Sequence, residues 1–391
     1  MREGWEYKKL GEVATSELGK TLNQSKDEGV LRPYVCAVNV LWDKVDTTIL
    51  KMAKFEDAEI ERYQVSQGDL LICEGGETGR CAIWNSPEHV LYQNALHRVR
   101  LNNEVDARFA VYYFRFLKNN GTIDLKYSKG VTIKHLVKSA LLSIPIPLPP
   151  LSVQHSIVCE LDKLSELIDI KKKQLADYDD LAKSLFNEMF GDPIENEMGW
   201  EVVPLKNNVN EMFLGPFGSS LKVDSYVPQE ESFCMVYEQK HAIKGTINLD
   251  NHFISKDKFE SLTRFSVKAG DFIMSCRGTI GKLYRLPKDA PLGIIHPSLM
   301  KIRIKENVYN PIFFQFMLVE IVANEHTNGN CVQMAITAKA LGEKKLIVPH
   351  MKLQEAFATR VETIREQMVS VENSKRELQE LLASRMQYWF E

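Results

Sequence analysis

Residues 151–192 read LSVQHSIVCELDKLSELIDIKKKQLADYDDLAKSLFNEMFGD, with apolar side chains spaced alternately by four and three residues. A similar pattern returns about 200 residues later, at 351–391. Sustained over about five heptads, this spacing predicts a coiled-coil seam. The predicted seam consists of Ile157, Leu161, Leu164, Ile168, Leu175, Tyr178 and Leu185 in the first helix, and of Phe357, Val361, Ile364, Met368, Val371, Leu378 and Leu382 in the second.

The segments before these helices also repeat each other. Gly4-Trp5-Glu6 opens the first copy and Gly199-Trp200-Glu201 opens the second. In mid-copy, the run from Gly68 to Arg80 matches the run from Gly270 to Lys282, and both have the pattern of a strand, a glycine turn and a second strand. The chain is therefore an internal duplication of a globular segment followed by a long helix.

Length agrees with this organisation, because 391 residues exceed what one hydrophobic core usually holds. We predict an α+β fold with two pseudo-symmetric globular domains, separated by two long antiparallel coiled-coil helices. The predicted boundaries are 1–150 for the first globular domain, 151–192 for the first helix, 193–350 for the second globular domain and 351–391 for the second helix.

Composition and charge indicate an ordinary globular protein. The sequence has no apolar run near the roughly 18 residues that span a bilayer, and Met1 to Leu18 lacks the apolar core of a secretory signal. We expect a cytoplasmic protein without membrane contact. The net charge of −3 is concentrated in the two helical segments, which together carry −4, so the globular segments can hold basic patches.

The sequence predicts neither a metal site nor a catalytic site. The seven cysteines are scattered, and none lies with histidine at zinc-binding spacing. Asp192-Pro193-Ile194 fails the Asn/Asp-Pro-Pro-aromatic motif of adenine methyltransferases. Gly278-Thr279-Ile280-Gly281-Lys282 lacks the spacing and the terminal Ser or Thr of a P-loop. A nuclease or methyltransferase acting by itself is therefore disfavoured.

Two further patterns concern the globular segments. Leu96–Leu101 and Leu299–Ile304 alternate basic and apolar residues with the period of a strand, so we expect one buried face and one cationic face. The aromatic runs at 112–116 and 313–316 are expected to be helical core rather than a surface for stacking bases.

Taken in order and twice over, these motifs resemble the specificity subunit of type I restriction-modification enzymes (HsdS). The resemblance covers the whole chain. It includes the opening Gly-Trp-Glu, the loop Gly215–Leu221, the Gly-Asp strand with its Gly-x-x-Gly-Arg/Lys turn, and Pro149–Gln154 before the first long helix. Pro349-His350-Met351-Lys352 is a poorer copy of the proline motif.

The resemblance implies a non-catalytic protein that reads double-stranded DNA. Each globular domain would recognise one half of a bipartite target, and the helices would bind two methyltransferase subunits (HsdM) and, through them, the restriction and translocation subunits (HsdR). No cofactor is expected on this chain, since S-adenosylmethionine, ATP and magnesium would belong to the partners. Two readers on one face of the duplex would lie about one turn, roughly 10 bp, apart.

Candidate phosphate contacts come from loops that combine backbone N–H groups, hydroxyls and ammonium groups. In the second copy these are Ser219, Ser220 and Lys222, and in the first copy Lys20 and Thr21, although an ordinary turn would explain either segment equally well.

Candidate base contacts are long cationic or amide side chains on loops. Arg80 and Arg277 would pair with guanine, and Asn39 and Gln333 with adenine. Polar loops before the last globular elements add Lys126, Lys129 and Thr132, and the second glycine turn adds Lys282. A flexible surface linker remains the alternative for the polar loops.

The competing function belongs to another class. A coiled-coil adaptor protein with two protein-binding domains would also carry two globular segments and two long helices.

Overall fold

The computed structural model describes residues 4–23, 27–130, 134–327 and 335–391, without the side chains of residues 324–327. The chain divides into two compact units. Unit 1 consists of Met1–Lys173 and Glu372–Glu391, and unit 2 of Gln174–Val371. Each unit therefore contains a part of both long helices.

Unit 1 contains two four-stranded sheets and a two-stranded sheet. Its strands are β1 (Glu6–Lys9), β2 (Ala14–Leu18), β3 (Val30–Val35), β4 (Lys51–Phe55), β5 (Gln64–Val65), β6 (Leu70–Cys73), β7 (Cys81–Ile83), β8 (Val90–Tyr92), β9 (Leu96–Leu101) and β10 (Pro145–Leu148). The strand orders are β2-β9-β6-β7, β4-β3-β8-β5 and β1-β10. The β3–β8 pair is parallel and the other pairs are antiparallel.

Unit 2 repeats this topology strand for strand. Its strands are β11 (Val202–Pro204), β12 (Val209–Leu214), β13 (Cys234–Tyr237), β14 (His252–Ile254), β15 (Ser266–Val267), β16 (Phe272–Ser275), β17 (Leu283–Arg285), β18 (Gly293–Ile295), β19 (Leu299–Ile304) and β20 (Lys345–Ile347). The orders are β12-β19-β16-β17, β14-β13-β18-β15 and β11-β20, again with one parallel pair, β13–β18.

The helices complete the duplication. They are α1 (Leu10–Val13), α2 (Asp57–Tyr63), α3 (Ala107–Asn119), α4 (Lys138–Leu142), α5 (Leu151–Phe190), α6 (Gln239–Lys244), α7 (Lys256–Ser261), α8 (Pro311–Thr327), α9 (Ala338–Gly342) and α10 (Met351–Phe390). The long helix α5 ends where Gly191 adopts a φ of 72° and donates its N–H to the carbonyl oxygen of Asn187 at 2.9 Å.

The glycine turns between β6 and β7 and between β16 and β17 need glycine for two reasons. Gly79 and Gly281 have φ values of 83° and 82°, a region that residues with a side chain rarely adopt. A Cβ atom would also lie 2.4 Å from Ile123 at Gly79 and 2.6 Å from Val322 at Gly281. Each turn is therefore packed against a helix of its own unit.

The aromatic helices are core, as the sequence predicts. In unit 1, Phe109 and Tyr113 on α3 pack against Phe390 at the end of α10, with ring centroids 5.3 and 5.5 Å apart. In unit 2, Phe313 on α8 packs against Phe190 at the end of α5 at 4.6 Å. Phe357, near the start of α10, packs against the same Phe190 at 5.4 Å.

The two long helices pair antiparallel. The beginning of α5 shares the core of unit 1 with the end of α10, and the end of α5 shares the core of unit 2 with the beginning of α10. Every predicted seam residue is buried or half-buried. Beside the seam, Arg385 of α10 bonds to the Glu160 carboxylate, which also accepts the indole N–H of Trp389 at 3.1 Å. The α+β class with two repeats and two antiparallel helices is thus confirmed.

A buried glutamine fixes the start of each long helix. Gln154 accepts the N–H of Asp106 at 2.8 Å and donates to the carbonyl oxygens of Glu104 and Pro149 at 2.8 and 2.9 Å. Gln354 makes the same three bonds in unit 2, and both side chains are fully buried. The poorer second proline motif therefore holds its helix by the same bonds as the first.

The expectation of a cationic face on β9 and β19 is wrong. Arg100 binds the buried carboxylate of Asp69, and Arg303 binds that of Asp271, through two hydrogen bonds each. On the same face, two residues earlier in each strand, Arg98 and its counterpart Lys301 are buried and donate to backbone carbonyls. The expectation failed because the alternating sequence pattern contains no information about partners such as Asp69 and Asp271, which are distant in sequence.

We predict that Gln154→Leu destabilises unit 1 by about 2–5 kcal/mol, because three buried backbone groups lose their partner. Hydrogen exchange resolved by peptide should show lost protection around residues 104–110 but not around 308–314. Gln354→Leu should give the reverse pattern, and Gln379→Leu, at an exposed position of α10, serves as the control. Equal protection in Gln154→Leu and Gln379→Leu would contradict the proposed role.

Candidate nucleic-acid interface

In unit 2, the ends of several strands meet at one edge. Three backbone hydrogen bonds of 2.8–2.9 Å join these ends. The N–H of Gly215 donates to the carbonyl oxygen of Leu299, that of His296 to the carbonyl oxygen of Tyr237, and that of Cys276 to the carbonyl oxygen of Ser298. The Gln239 amide donates to the carbonyl oxygen of Arg277 at 2.6 Å. The loop edge of unit 2 therefore consists of residues 215–222, 238–240, 276–282 and 296–298.

This edge gathers most of the second-copy candidates. Ser219 and Ser220 lie in a 3-10 turn, Gly218–Ser220, and Lys222 follows it. Lys222, Arg277 and Lys282 are exposed, and their side chains have no ion pair or hydrogen bond among the described residues. These three cations are available to phosphates or base edges.

Two titratable groups beside them are held in one state near neutral pH. Burial lowers the pKa of His296, so its ring is neutral and hydrogen-bonds to the hydroxyl of Ser298 at 2.8 Å. Burial alone would raise the pKa of Glu238, but hydrogen bonds from Lys240 and His252 outweigh it and lower that pKa. The negative charge at this edge is therefore neutralised locally.

Unit 1 builds its edge with equivalent backbone bonds. The N–H of Gly19 donates to the carbonyl oxygen of Leu96 at 3.1 Å, and that of Glu74 donates to the carbonyl oxygen of Ala95 at 2.9 Å. The N–H of Leu136 donates to the backbone carbonyl oxygen of Glu74 at 2.7 Å. This bond holds the end of the polar loop beside the glycine turn. The loop edge of unit 1 therefore consists of residues 18–23, 74–80, 93–95 and the described part of 126–136.

Lys20 does not point to solvent from this edge. Its ammonium group pairs with Glu59 at 2.6 Å and Asp27 at 3.6 Å, and its side chain is 7% exposed. Although burial opposes the charge, the hydrogen bond to Glu59 keeps the pKa of Lys20 raised. The placement disfavours a phosphate contact by Lys20, whereas the neighbouring Thr21 is exposed.

Asn39 is a structural amide in this arrangement. Its oxygen accepts the N–H of Cys36 at 3.0 Å, and its nitrogen donates to the carbonyls of Asp46 and Ile49 at 2.9 and 3.0 Å. In unit 2, His241 takes the same place and accepts the N–H of Glu238 at 2.8 Å. Asn39 is 5% exposed, so this placement disfavours contact with a base.

Arg80 is also engaged inside unit 1. Its guanidinium group donates to the Glu77 carboxylate at 2.7 Å and to the carbonyl oxygen of Ala37 at 2.8 Å. Its counterpart in unit 2 is the exposed Lys282, since both residues follow the glycine of the turn. The two predicted guanine contacts therefore differ, because Arg277 is exposed and Arg80 is not.

The polar loop of unit 1 carries exposed cations. Lys126 lies in a π-helical turn, Ile123–Tyr127, and Lys129 pairs by backbone bonds with His135. Both ammonium groups are exposed, without a partner among the described residues. Thr132 and Gln333 lie outside the described residues.

Sequence reasoning missed the loops that follow the parallel strands. Gln93 and Asn94 follow β8, and their half-buried side chains have no hydrogen-bond partner among the described residues. His296 and Ser298 take the equivalent place after β18. Polar residues between a short apolar strand and the alternating basic strand are the signal that could have identified these loops.

Two searches of the described residues give plain results. No three His, Cys, Asp or Glu side chains are arranged there to bind a metal ion. No helix within those residues combines the length and apolarity needed to cross a membrane.

Comparison with known proteins agrees with this architecture. Residues 2–177 match the type I restriction modification DNA specificity domain. A putative type I restriction enzyme specificity subunit, MjaX of Methanocaldococcus jannaschii, is 25% identical across 97% of this chain and 93% of its own length. The chain is therefore similar to type I restriction enzyme specificity subunits over nearly its whole length.

Further specificity subunits are similarly distant in sequence. The MjaVIII specificity subunit of the same archaeon is 24% identical across 97% of this chain and 92% of its own. The EcoKI specificity subunit of Escherichia coli is 25% identical across 47% of this chain and 42% of its own. One solved structure concerns the assembly and conformational transition of the type I R-M system. Its matching chain aligns over 100% of the present chain and 98% of its own length, with a TM-score of 0.62 and 18% sequence identity. This last likeness confirms the fold.

We predict that Arg277→Ala and Arg80→Ala have different effects on this protein. Arg277→Ala should relax base preference in one part of the DNA target, at a cost of roughly 1–3 kcal/mol, and leave stability unchanged. Arg80→Ala should lower stability by about 1–3 kcal/mol and leave base preference intact, because it removes internal hydrogen bonds. Methylation-motif sequencing and thermal unfolding measure the two effects. A broadened motif without lost stability in Arg80→Ala would contradict the assignment.

Proposed function

We propose that this chain is a type I restriction-modification specificity subunit, a non-catalytic reader of double-stranded DNA in which each unit recognises one half of a bipartite target. The observation that supports this most is one framework carrying two different loop edges. The Asp–Arg pairs, the buried glutamines and the strand orders are the same in both units. The exposed loop side chains differ, as two different half-sites would require.

The two loop edges expose different polar side chains, which supports different contacts with DNA in the two units. The edge of unit 2 presents Arg277, Lys222 and Lys282 as exposed cations, which suit guanine and phosphate groups. The edge of unit 1 presents the amides of Gln93 and Asn94, which can pair with adenine. Lys126 and Lys129 give the edge of unit 1 exposed cations as well, so we expect both units to contact phosphates.

We further propose that the long helices bind two methyltransferase subunits, through which the restriction subunits join. Both units carry apolar helix residues that remain exposed. Unit 1 exposes Ile170 at 51% and Leu381 at 46%, and unit 2 exposes Leu181 at 51% and Val369 at 62%. Exposed apolar residues on a helix favour contact with a protein partner. In this proposal S-adenosylmethionine, ATP and magnesium bind to the partners, and the complex works on DNA in the cytoplasm.

The helices would also set the spacing between the half-sites. Both α5 and α10 are unbroken over 40 residues, and each contributes to the two cores. A rigid pair of this kind would fix how many base pairs remain unread.

A salt titration tests the DNA-reading proposal. For the subunit assembled with its methyltransferase, a contact with about 6–10 phosphates predicts that affinity falls about 10³–10⁵-fold between roughly 50 and 200 mM salt. Lys222→Ala should weaken all sequences alike and reduce the salt slope by about 1. Lys173→Ala, at an exposed position of α5, is the control. Nearly constant affinity across this range would instead favour the coiled-coil adaptor.

A further inference from the structure

The loop after β3 in unit 1 inserts an aromatic and an acidic residue against α3. Asp43 adopts a φ of 71°, and its carboxylate pairs with Arg108 at 2.9 Å and with Arg115. The Arg115 guanidinium lies 5.2 Å from the ring centre of Trp42, whose indole N–H donates to Glu77 at 3.0 Å. The loop is therefore fixed by one carboxylate held between two guanidinium groups.

This arrangement extends to the long helix of the same unit. Arg108 also donates to the Asp162 carboxylate of α5 at 2.8 Å. Asp162 accepts a further hydrogen bond from the hydroxyl of Tyr112 at 2.6 Å. The loop, α3 and α5 are thus joined by alternating positive and negative groups.

Unit 2 lacks this insertion. Asn39 and His241 mark equivalent turns, and four residues after each of them the backbone is left-handed, at Asp43 and at Gly245, whose φ is 62°. Glycine stands where unit 1 has the inserted carboxylate. Asp106 donates to Gln154 and Asn310 donates to Gln354, so these two residues are equivalent. On this alignment, Ile312 and Val319 of unit 2 correspond to Arg108 and Arg115 of unit 1.

A cavity of about 490 Å³ lies at this place in unit 2. Its lining includes three cationic residues, Arg285, Lys288 and Arg365, and one acidic residue, Glu362. Leu283, Leu286 and Ile312 contribute apolar walls. The cavity is therefore partly apolar and carries an excess of positive charge.

The positive groups retain capacity for an anion. Arg365 makes a hydrogen bond of 3.4 Å to the Gln315 amide oxygen, and Arg285 pairs with Glu306 at 3.0 Å. Lys288 is exposed and has no partner among the described residues. Desolvation lowers the pKa of the Arg365 guanidinium, and Glu362 offsets this in part. A carboxylate placed in the cavity would accept charge-assisted hydrogen bonds from the Arg365 guanidinium group, which is exposed.

We propose that this cavity binds an acidic side chain, preceded by an aromatic one, from a segment of a protein partner. The occupant would replace in unit 2 what Trp42 and Asp43 supply in unit 1. A single carboxylate fits better than a phosphate group, because Glu362 would repel a second negative charge. Since α10 forms one wall, the bound segment would join the partner to the long helix. The proposal does not depend on how the loop edges read DNA.

The test uses a capped hexapeptide with the sequence of residues 40–45, Val-Leu-Trp-Asp-Lys-Val, titrated into the full chain by calorimetry. We expect weak binding, with a Kd on the order of 1 mM or below. Changing Asp to Asn in the peptide, or Arg365→Gln in the protein, should weaken it at least about tenfold, since a charge-assisted hydrogen bond is lost. Arg360→Gln, at an exposed position of α10 outside the cavity lining, should leave binding unchanged.

A second variant places the carboxylate in the chain itself. Gly245→Asp recreates the residue of unit 1 at a left-handed position that Asp tolerates, and it should abolish peptide binding while the circular dichroism spectrum stays native. Undetectable binding to the wild type, or equal binding to Arg365→Gln and Gly245→Asp, would overturn the proposal. Displacement of the peptide by inorganic phosphate at a lower concentration than by acetate would overturn the choice of a carboxylate.

Discussion

The structure depends on one constraint, which is that each unit needs a piece of both long helices to close its core. Phe390, from the end of α10, is 5% exposed among the aromatic residues of α3 in unit 1. Phe190, from the end of α5, is fully buried against α8 in unit 2. Burying a phenylalanine side chain contributes about 1.5–3 kcal/mol, and truncating one to alanine in a core costs about 3–5 kcal/mol. Each half of the duplicated sequence therefore takes part of its core from the long helix of the other half.

The two units share a framework of bonds and differ in their surface loops. Bonds that occur in both units, such as those of Gln154 and Gln354 and those of Asp69 and Asp271, hold sheets and helices in place. The loops at the strand ends carry none of these bonds and differ in charge. A fold arranged in this way permits changes in the loop side chains without disturbing the core.

The sequence predicted the architecture better than the candidate site. Periodicity is local and depends on burial, so the heptads, the glycine turns and the aromatic helices were identifiable from spacing. Availability of a polar side chain depends on partners distant in sequence. Lys20 is paired with Glu59, Asn39 is used by backbone groups up to Ile49, and Arg80 reaches Ala37, while Arg277 in an equally plausible loop is exposed. Residue type and loop position alone could not separate these cases.

The central claim is that two readers are held at a fixed spacing by a shared pair of helices. Inserting one heptad after Lys173 and one after Val371 lengthens both helices by about 10 Å while keeping the seam in register. The most direct measurement is the motif of modified adenines in DNA from a host that carries the altered chain and its methyltransferase. The account predicts unchanged half-sites with an unread gap longer by about three base pairs. A gap of unchanged length in an active enzyme would contradict it.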